Sequence, residues 1–376
     1  MFENMNLDVL LPYKVESLPK VAIILLNYNG WVDTIECLES VLRNDYPNYQ
    51  VIVVDNNSQN NSIKYMQEWA DGKFDVCLRQ DNPLRNLSFP PVTKQIPYFY
   101  YTRREAEKGG KPELEDTLKD IDFQNITTKY PLIFIQTGEN LGFAGGNNVG
   151  IKYTLAKNDF DAIILLNNDT VINKDSIRKL MDAYKNNQNS GLFGGRIYYY
   201  SKPEIIWYDG GKFNKWLGRA VHINMNKSNI HSKSAIKEVR FITFCYVLIP
   251  KRILVDIGLL DEIYFMYMED LDYSYRILKK GYKLYHVCNS EIYHKVGASS
   301  ELEENSSFSA YWVMRNRVRF IKVYLNIITA IIAIAFIILL RLLRFIPYIW
   351  TGKWEIFKAQ IKGIICSITS SHNNDS

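Results

Sequence analysis

Three short apolar runs in this chain each stop at a cluster of Asn and Asp residues, and this repeated pattern strongly constrains the fold. The runs are 21–26, 51–54 and 162–166, and the polar clusters follow at 27–30, 55–58 and 167–169. Runs of this length, bounded by turn residues, are typical of buried strands. Helical apolar spacing follows the first two runs, at 35–42 and 63–70. This alternation predicts an α/β fold with a mixed, mainly parallel central sheet and flanking helices.

The rest of the chain extends this pattern with one interruption. Apolar patterning predicts further strands near 75–78, 131–135 and 283–287, and helices over 149–157 and 271–278. Segment 82–130 carries several Pro and Gly residues and mixed charge, which indicates an inserted region of loops and short elements. We therefore expect an N-terminal extension over 1–20, a catalytic domain over 21–310 containing that insertion, and a C-terminal helical region over 311–376.

The C-terminal region combines a long apolar run with basic charge. Val323 to Leu340 is eighteen residues whose only polar members are Tyr324, Asn326 and Thr329. As a helix it would be roughly 27 Å long, which is borderline for the hydrocarbon core of a bilayer. Nine basic residues and one acidic residue lie between 311 and 366, which favours anionic membrane lipid over nucleic acid as the partner. We predict a membrane-embedded or re-entrant hairpin, with a buried core helix as the alternative.

Composition adds expectations about the compartment. The five cysteines form no CxxC or zinc spacing, so we expect reduced, mostly structural thiols of a cytosolic protein. The N-terminus has no basic-then-apolar pattern of a secretory signal. We therefore expect the catalytic part to remain inside the cell.

Two carboxylates and one histidine are the candidates for chemistry. Asp169 follows a predicted strand, where ligands bind in open α/β sheets and where a carboxylate can hold a divalent cation on a diphosphate. Asp270 begins a predicted helix after an aromatic and Met-rich segment, which fits a general base with a raised pKa. His294 could complete a metal shell begun by Asp169. The structural alternatives are a polar turn at Asp169, helix-start acids with an Asp272 to Arg276 salt bridge, and a structural histidine.

Taken in order, these motifs resemble family 2 inverting glycosyltransferases of the GT-A fold, especially rhamnosyltransferase-like members. The resemblance covers about 21–320 without the insertion, and each motif is weak alone. The segments that carry it are Asn27-Tyr28-Asn29, Asp55-Asn56-Asn57, the glycine-rich 140–148, Leu165 to Thr170, Phe265 to Arg276, Tyr293-His294, 206–211 and 311–317.

The resemblance implies a role for each matching residue. Asp270 would be the catalytic base that deprotonates an acceptor hydroxyl, and Asp169 with His294 would bind Mg²⁺ or Mn²⁺ on the sugar diphosphate. The implied donor-binding residues are Asn27, Asn29, Asp55, Asn57, Asn140, Gly142, Asn148 and Asn168. The implied acceptor-side residues are Trp207, Glu269 and Arg315.

Two positions depart from the family pattern. The metal-binding element reads Asn167-Asn168-Asp169, so its first carboxylate is absent and metal affinity would depend more on His294. Phe244 stands where relatives often have Gly, which affects the expected shape of the acceptor pocket.

The resulting hypothesis is a metal-dependent transferase at the cytoplasmic face of a prokaryotic cell membrane, active in cell-envelope polysaccharide synthesis. It would move a sugar, with rhamnose as a candidate, from a nucleotide-diphosphate donor to a polysaccharide or lipid-linked acceptor. The alternatives are a membrane-anchored nucleotide-sugar-binding scaffold or inactive transferase, and a sugar nucleotidyltransferase. The first loop, Asn27-Tyr28-Asn29-Gly30, lacks the glycine-rich segment that a nucleotidyltransferase would place there.

Overall fold

The predicted strands assemble into one large sheet. The computed structural model describes residues 18–118, 130–187, 189–214, 216–228, 234–296 and 306–369. Eleven strands of the described chain form this sheet, and two more form a separate ribbon. In chain order the strands are β1 (Val21–Asn27), β2 (Tyr49–Asp55), β3 (Tyr98–Thr102), β4 (Leu132–Gln136), β5 (Ala162–Asn167), β6 (Thr170–Ile172), β7 (Leu192–Tyr199), β8 (Lys202–Tyr208), β9 (Gly211–Asn214), β10 (Arg219–His222), β11 (Ile236–Val239), β12 (Tyr246–Pro250) and β13 (Leu284–His294).

The sheet is mixed, with a parallel half that matches the expectation from the sequence. Nine of its strands follow the order β11-β13-β7-β12-β5-β1-β2-β4-β3, while β6 pairs with β13 and β8 pairs with β7. Strands β3, β4, β2, β1 and β5 are mutually parallel, whereas β12 lies antiparallel between β5 and β7. The parallel strands are apolar on both faces because helices cover both sides. Their carboxyl ends therefore share one edge of the sheet, where the polar clusters collect.

The helices follow the strands in the expected alternation. Predicted helices over 35–42, 63–70 and 271–278 are confirmed as α1, α2 and α9. In chain order the helices are α1 (Trp31–Val41), α2 (Ser62–Ala70), α3 (Arg85–Ser88), α4 (Arg103–Ala106), α5 (Pro112–Thr117), α6 (Gly142–Lys157), α7 (Ser176–Asn186), α8 (Lys251–Ile257), α9 (Glu269–Lys279), α10 (Ser307–Tyr324), α11 (Ile327–Trp350) and α12 (Trp354–Thr369).

Most of the glycine-rich segment 140–148 is helical, so the helix is longer than predicted. Helix α6 begins at Gly142, seven residues before the predicted start at Val149. Its glycines allow the helix to lie close to β1 and β2, since a Cβ at Gly146 would come 2.5 Å from Leu26 Cδ1. A Cβ at Gly150 would come 2.8 Å from Ile24 Cγ2. Close helix–sheet packing thus explains these two glycines without any nucleotide contact.

Two other predictions near the insertion need correction. Residues 75–78 form no regular strand, because this segment lies outside the sheet order and has only partly buried apolar residues. The predicted insertion instead supplies β3, which pairs with β4 at the sheet edge. Residues 119–129 of the insertion lie outside the described part of the chain.

The C-terminal helices differ from the predicted single run. The helix predicted over Val323 to Leu340 is interrupted: α10 ends at Tyr324, and Asn326 caps α11 by accepting a hydrogen bond from Thr329 N at 3.0 Å. Helix α11 then continues through Pro347 to Trp350. By length and composition it is the one helix of the described residues that could cross a membrane, and only 28% of its most apolar window is buried.

Helices α10, α11 and α12 pack through a small apolar cluster of their own. Met314, Val318, Ala333, Ile337 and Ile364 belong to this cluster. The predicted domain boundary at 310 falls inside α10, whose Phe320 also joins the main core. The boundary itself stays a prediction.

Candidate active site

Asp55 and Asn27 lie side by side at the carboxyl edge because β1 and β2 are parallel and in register there. The Asn27 amide donates to Asp55 Oδ1 at 2.6 Å, and Gln136 donates to Asp55 Oδ2 at 2.9 Å. The backbone and hydroxyl of Ser58 also donate to Asp55, at 3.0 and 2.6 Å. The carboxylate is therefore fixed by four donors at the base of the expected nucleoside site.

The neighbouring predicted donor residues line the same edge. Asn29 and Asn57 both have left-handed backbones, with φ of 56° and 63°, and Asn29 is exposed. Asn168 donates to Thr34 Oγ1 at 2.9 Å and lies beside Gly30. Short polar side chains tolerate left-handed turns, so these Asn residues shape the loops as well as lining them.

Asn140 and Gly142 lie at the start of α6, whereas Asn148 points into the protein. Asn140 Oδ1 accepts from Gly142 N at 3.0 Å, and Gly142 has φ of +69°. Asn148 donates to Leu260 O at 2.9 Å and accepts from Leu260 N at 3.1 Å. The structure thus does not bring Asn148 to the edge with the other donor-side residues. Instead, Asn148 holds the segment around Leu260, which precedes α9.

Asp169 and His294 form a buried pair. Strand β6 pairs with the end of β13, so that Thr170 faces His294. His294 Nε2 lies 3.1 Å from Asp169 Oδ1. Burial disfavours ionisation of both groups. The mutual attraction of imidazolium and carboxylate outweighs it, so the pKa of Asp169 is lowered and the pKa of His294 is raised well above its usual value. Asp169 is thus a buried carboxylate that is stabilised by a neighbouring imidazolium.

Asp270 lies in the first turn of α9 and has a raised pKa. Burial raises the pKa of Asp270 to about 7, against the opposing effect of hydrogen bonds from Leu271 N, Phe244 N and the Thr243 hydroxyl. Among the described residues, no Lys, Arg or His forms a salt bridge with it. A carboxyl group that titrates near neutral pH suits proton transfer. The expected Asp272 to Arg276 salt bridge also forms, at 2.8 Å.

Segment 243–245 connects Asp270 to the Asp169–His294 pair. Thr243 and Phe244 contact Asp270, while the Cys245 thiol interacts with His294. The structure therefore brings Asp169, His294 and Asp270 around one short backbone segment. The Phe244 ring points into the core against Tyr273, with ring centroids 5.8 Å apart. The effect of Phe244 on the shape of the acceptor pocket stays a prediction.

The three acceptor-side candidates have different neighbours. Trp207 packs edge-on against His294, with ring centroids 4.9 Å apart. Glu269 is buried, and its Oε2 atom has no hydrogen-bond partner among the described residues. Arg315 donates to Ile263 O at 2.7 Å, and its guanidinium lies 5.1 Å from the centre of the Trp312 ring. Trp207 and Glu269 thus adjoin the site directly, and Arg315 adjoins the loop before α9.

Sequence reasoning missed several residues that build the site. Lys295 donates to Asp33 at 2.5 Å and to Glu36 at 2.6 Å, which ties the His294 segment to α1. Thr243 and Cys245 were also missed as partners of Asp270 and His294. The sequence offered one indication of their role, which is that they flank Phe244, a departure from the family pattern. The contacts themselves could not be predicted locally, because they join residues far apart in sequence.

A second His, Cys and Asp cluster lies apart from these residues. Ligand atoms of Asp209, His286 and Cys288 lie within 4.8 Å of one another. The Asp209 oxygen that contacts His286 at 2.9 Å also accepts from Arg196 Nε at 2.9 Å. Asp209 is thus already neutralised by a guanidinium, so this cluster is a buried ion network and a poor cation site.

The architecture defines a class. A mainly parallel sheet flanked by helices, with carboxylates at its carboxyl edge and a mixed half that carries further site residues, is the GT-A type of nucleotide-diphospho-sugar transferase fold. Two family models match the chain: glycosyl transferase family 2 over residues 22–83, and glycosyl transferase family group 2 over residues 162–371. Since the second match covers more than half of the chain, the protein belongs to the family 2 group of glycosyl transferases.

Two curated relatives are similar over half of this chain. The low-salt glycan biosynthesis hexosyltransferase Agl10 of Haloferax volcanii is 26% identical over 190 residues, which is 49% of this chain and 58% of that protein. The dTDP-rhamnosyl transferase RfbF of Shigella flexneri is 25% identical over 188 residues, which is 50% of this chain and 57% of that protein. The match thus spans less than two thirds of each relative.

A solved structure supports the fold. GalNAc-T7 with UDP, GalNAc and Mn²⁺ superposes with a TM-score of 0.52 at 14% identity, covering 83% of this chain and 49% of that one. At this identity the similarity concerns the fold alone.

Proposed function

We propose that this protein is an inverting glycosyltransferase that uses a nucleotide-diphospho-sugar donor. The observation that carries the proposal is the position of Asp270, a carboxyl group with a pKa of about 7, beside the short segment 243–245, which also contacts the Asp169–His294 pair. A base for the acceptor and a cation site for the donor diphosphate are the two parts that this reaction needs. Both lie beside the carboxyl edge of the parallel sheet.

The donor would lie along that edge. Asn27, Asn29, Asp55 and Asn57 are proposed to hold the nucleoside, and Asn168 extends this surface toward Asp169. Asn140 and Gly142 would bound the donor site at the start of α6. Asn148 has the weakest support among the proposed donor residues, because both atoms of its amide are used inside the protein.

The residues present fit a divalent metal. Asp169 and His294 offer an oxygen and a nitrogen ligand, a combination suited to Mn²⁺ or Mg²⁺ with a diphosphate. The other ring nitrogen, His294 Nδ1, is buried and has no hydrogen-bond partner among the described residues. A bound divalent cation would supply the positive charge that the imidazolium otherwise provides to Asp169, and it would offset charge on the departing diphosphate.

Asp270 is proposed to accept the proton in the transfer step. The acceptor hydroxyl gives its proton to the Asp270 carboxylate while its oxygen forms a bond to the anomeric carbon. The bond from that carbon to the diphosphate oxygen breaks, and the bonding electrons leave with the nucleoside diphosphate. Attack on the opposite side from the leaving group inverts the anomeric carbon. Trp207, Glu269 and Arg315 are proposed to shape the acceptor side.

The donor sugar and the acceptor are part of the same proposal. Rhamnose is proposed as a donor sugar because the motifs resemble rhamnosyltransferase-like members and one relative is named as a dTDP-rhamnosyl transferase. A polysaccharide or lipid-linked acceptor is proposed because the apolar α11 and its basic surroundings suit the cytoplasmic face of a membrane.

Replacing the base tests the proposal. Asp270→Asn is expected to lower the rate of nucleoside diphosphate release with acceptor by about 10²–10⁴-fold, the usual contribution of a general base. Donor affinity, measured by thermal shift with UDP-, dTDP- and GDP-sugars and Mn²⁺, should stay near that of the unaltered protein. Asp256→Asn, which removes an exposed carboxylate on α8, is the matched control and should retain full activity.

Other outcomes would contradict the proposal in distinct ways. Loss of donor binding in Asp270→Asn would mean that Asp270 contacts the donor or supports the fold. If the unaltered protein binds donors yet releases no nucleoside diphosphate with any candidate acceptor, a binding scaffold is favoured. Formation of a nucleotide sugar from a nucleoside triphosphate and a sugar phosphate would instead identify a nucleotidyltransferase.

A further inference from the structure

The loop that leads into Asp270 has a backbone that its side chains disfavour. Phe265, Tyr267 and Met268 have φ of 56°, 69° and 75°. These values lie in the left-handed region, which bulky L-residues rarely adopt. A strained loop persists only when its surroundings fix it. Met268 is the residue directly before α9, so the conformation of this loop sets where the first turn and Asp270 lie.

One buried amide holds most of this loop. Asn316 on α10 is fully buried, and its Nδ2 lies 2.7 Å from Tyr264 O, 2.8 Å from Met266 O and 2.9 Å from Tyr267 O. Its Oδ1 accepts from Arg315 Nη1 at 2.9 Å. The side-chain oxygen is therefore occupied as well, and this orients the amide so that the NH₂ group faces the loop.

Neighbouring contacts hold the loop and α9 on either side of Asn316. The start of α6 contributes Phe143 N and Ala144 N, which donate to Phe265 O at 2.5 and 3.3 Å. At the other end of α10, the Tyr324 hydroxyl donates to Asp272 Oδ1 at 2.6 Å. Helix α10 thus holds both the segment before Asp270 and the residue two positions after it.

We propose that Asn316 is a positioning residue for Asp270. It fixes the loop 264–268, in which Phe265, Tyr267 and Met268 have positive φ, so that the first turn of α9 meets Thr243 and Phe244. This role rests on the proposed transfer reaction, in which Asp270 must align with an acceptor hydroxyl. Misplacing a base by about 1 Å can cost on the order of 10²-fold in rate without any direct contact to substrate.

The test compares two substitutions on the same helix. Asn316→Ala removes the side-chain donor to three loop carbonyls and is expected to lower kcat at least tenfold, with little change in KM for the donor. Val318→Ala is the matched control, since Val318 is also fully buried but packs in the cluster between α10, α11 and α12. The control should lower Tm while leaving kcat within about twofold. Asn316→Ser, which retains one donor, should fall between Asn316→Ala and the unaltered protein.

Amide hydrogen exchange gives a readout that does not depend on activity. We expect exchange at 264–271 to rise at least tenfold in Asn316→Ala and to stay unchanged in Val318→Ala. Unchanged exchange or unchanged kcat in Asn316→Ala overturns the positioning role, as does an equal loss of kcat in both variants. If Asn316→Ala does not fold, the same comparison applies to Asn316→Ser. An unaltered protein that transfers no sugar would refute the proposed function, and the positioning role with it.

Discussion

Asp270 shows how a carboxyl group can be kept near neutral pKa without a basic partner. Burial alone raises the pKa, whereas the Thr243 hydroxyl and the Phe244 and Leu271 amides limit the rise by donating to the charged form. The neighbouring Glu269 is buried too, and its pKa is raised by burial and by the charge of Asp270. Ionising both carboxyl groups at once is therefore costly, which favours a state in which only one of the two is charged.

The activity should consequently depend on pH in one direction. A general base works only when ionised, so kcat is expected to fall about tenfold per pH unit below a midpoint near 7 and to level off above it. Thr243→Val removes a hydroxyl that lowers the pKa of Asp270, so the midpoint should move to higher pH. The measurement is kcat between pH 5 and 9 at saturating donor. A flat profile, or a midpoint that Thr243→Val moves downward, would contradict this assignment.

At the scale of elements, a buried ion network ties the region of the predicted insertion to the sheet. Glu115 on α5 is almost fully buried, and it accepts from the Tyr101 hydroxyl on β3 at 2.8 Å and from the Tyr153 hydroxyl on α6 at 3.0 Å. Lys157 on α6 pairs with the same carboxylate. One carboxylate thereby joins three elements at the sheet edge.

Removal of the Glu115 charge alone should lower the free energy of unfolding more than removal of both the Glu115 and Lys157 charges. Glu115→Gln leaves the Lys157 ammonium buried and unpaired, so we expect a loss of about 3–5 kcal/mol in the free energy of unfolding. Glu115→Gln combined with Lys157→Met should lose less than the single variant, because no uncompensated charge remains. Urea denaturation of Glu115→Gln, Lys157→Met and the double variant measures the difference. A double variant that loses the sum of two large single losses would contradict the network.

Local pattern predicted the elements better than their long-range contacts. The apolar runs of β1, β2, β4 and β5 and the helical spacing of α1 and α9 were readable because each depends on neighbours in sequence. The start of α6 was predicted seven residues too late. Glycines disfavour a helix when they are judged from the sequence alone, and their packing against β1 is a long-range contact. The pairing of β6 with β13 brings Asp169 to His294 across the fold. That pairing could be inferred only from family resemblance, because no local periodicity records it.

At the scale of the whole molecule, helix α11 exposes a large apolar surface. Ile327, Ile328, Ile331, Leu342 and Leu343 are each more than 55% exposed on α11. An apolar area of this size on one helix marks an interaction surface. The basic residues of 311–366 add attraction to anionic headgroups. Both features support the proposed membrane surface.

Charge on α11 should release the protein from vesicles. Ile331→Asp with Leu342→Asp is expected to lower binding to vesicles of phosphatidylcholine and phosphatidylserine at least tenfold, because buried carboxylates oppose insertion. Val255→Asp, at an exposed apolar position on α8, is the matched control and should bind like the unaltered protein. Co-sedimentation at low and high salt is the measurement. Equal sedimentation of all three proteins would argue against a membrane surface on α11.

Because α10 serves both the catalytic loop and the C-terminal helices, chimeras between relatives have a restricted choice of junction. A chimera that replaced all residues after 310 would exchange most of α10, including Asn316. The new helix would come from a relative in which it contacts a different loop. A junction at Leu325–Asn326, in the break between α10 and α11, leaves that helix with its own catalytic part. Exchange of α11 and α12 without loss of turnover therefore requires a junction within these two residues.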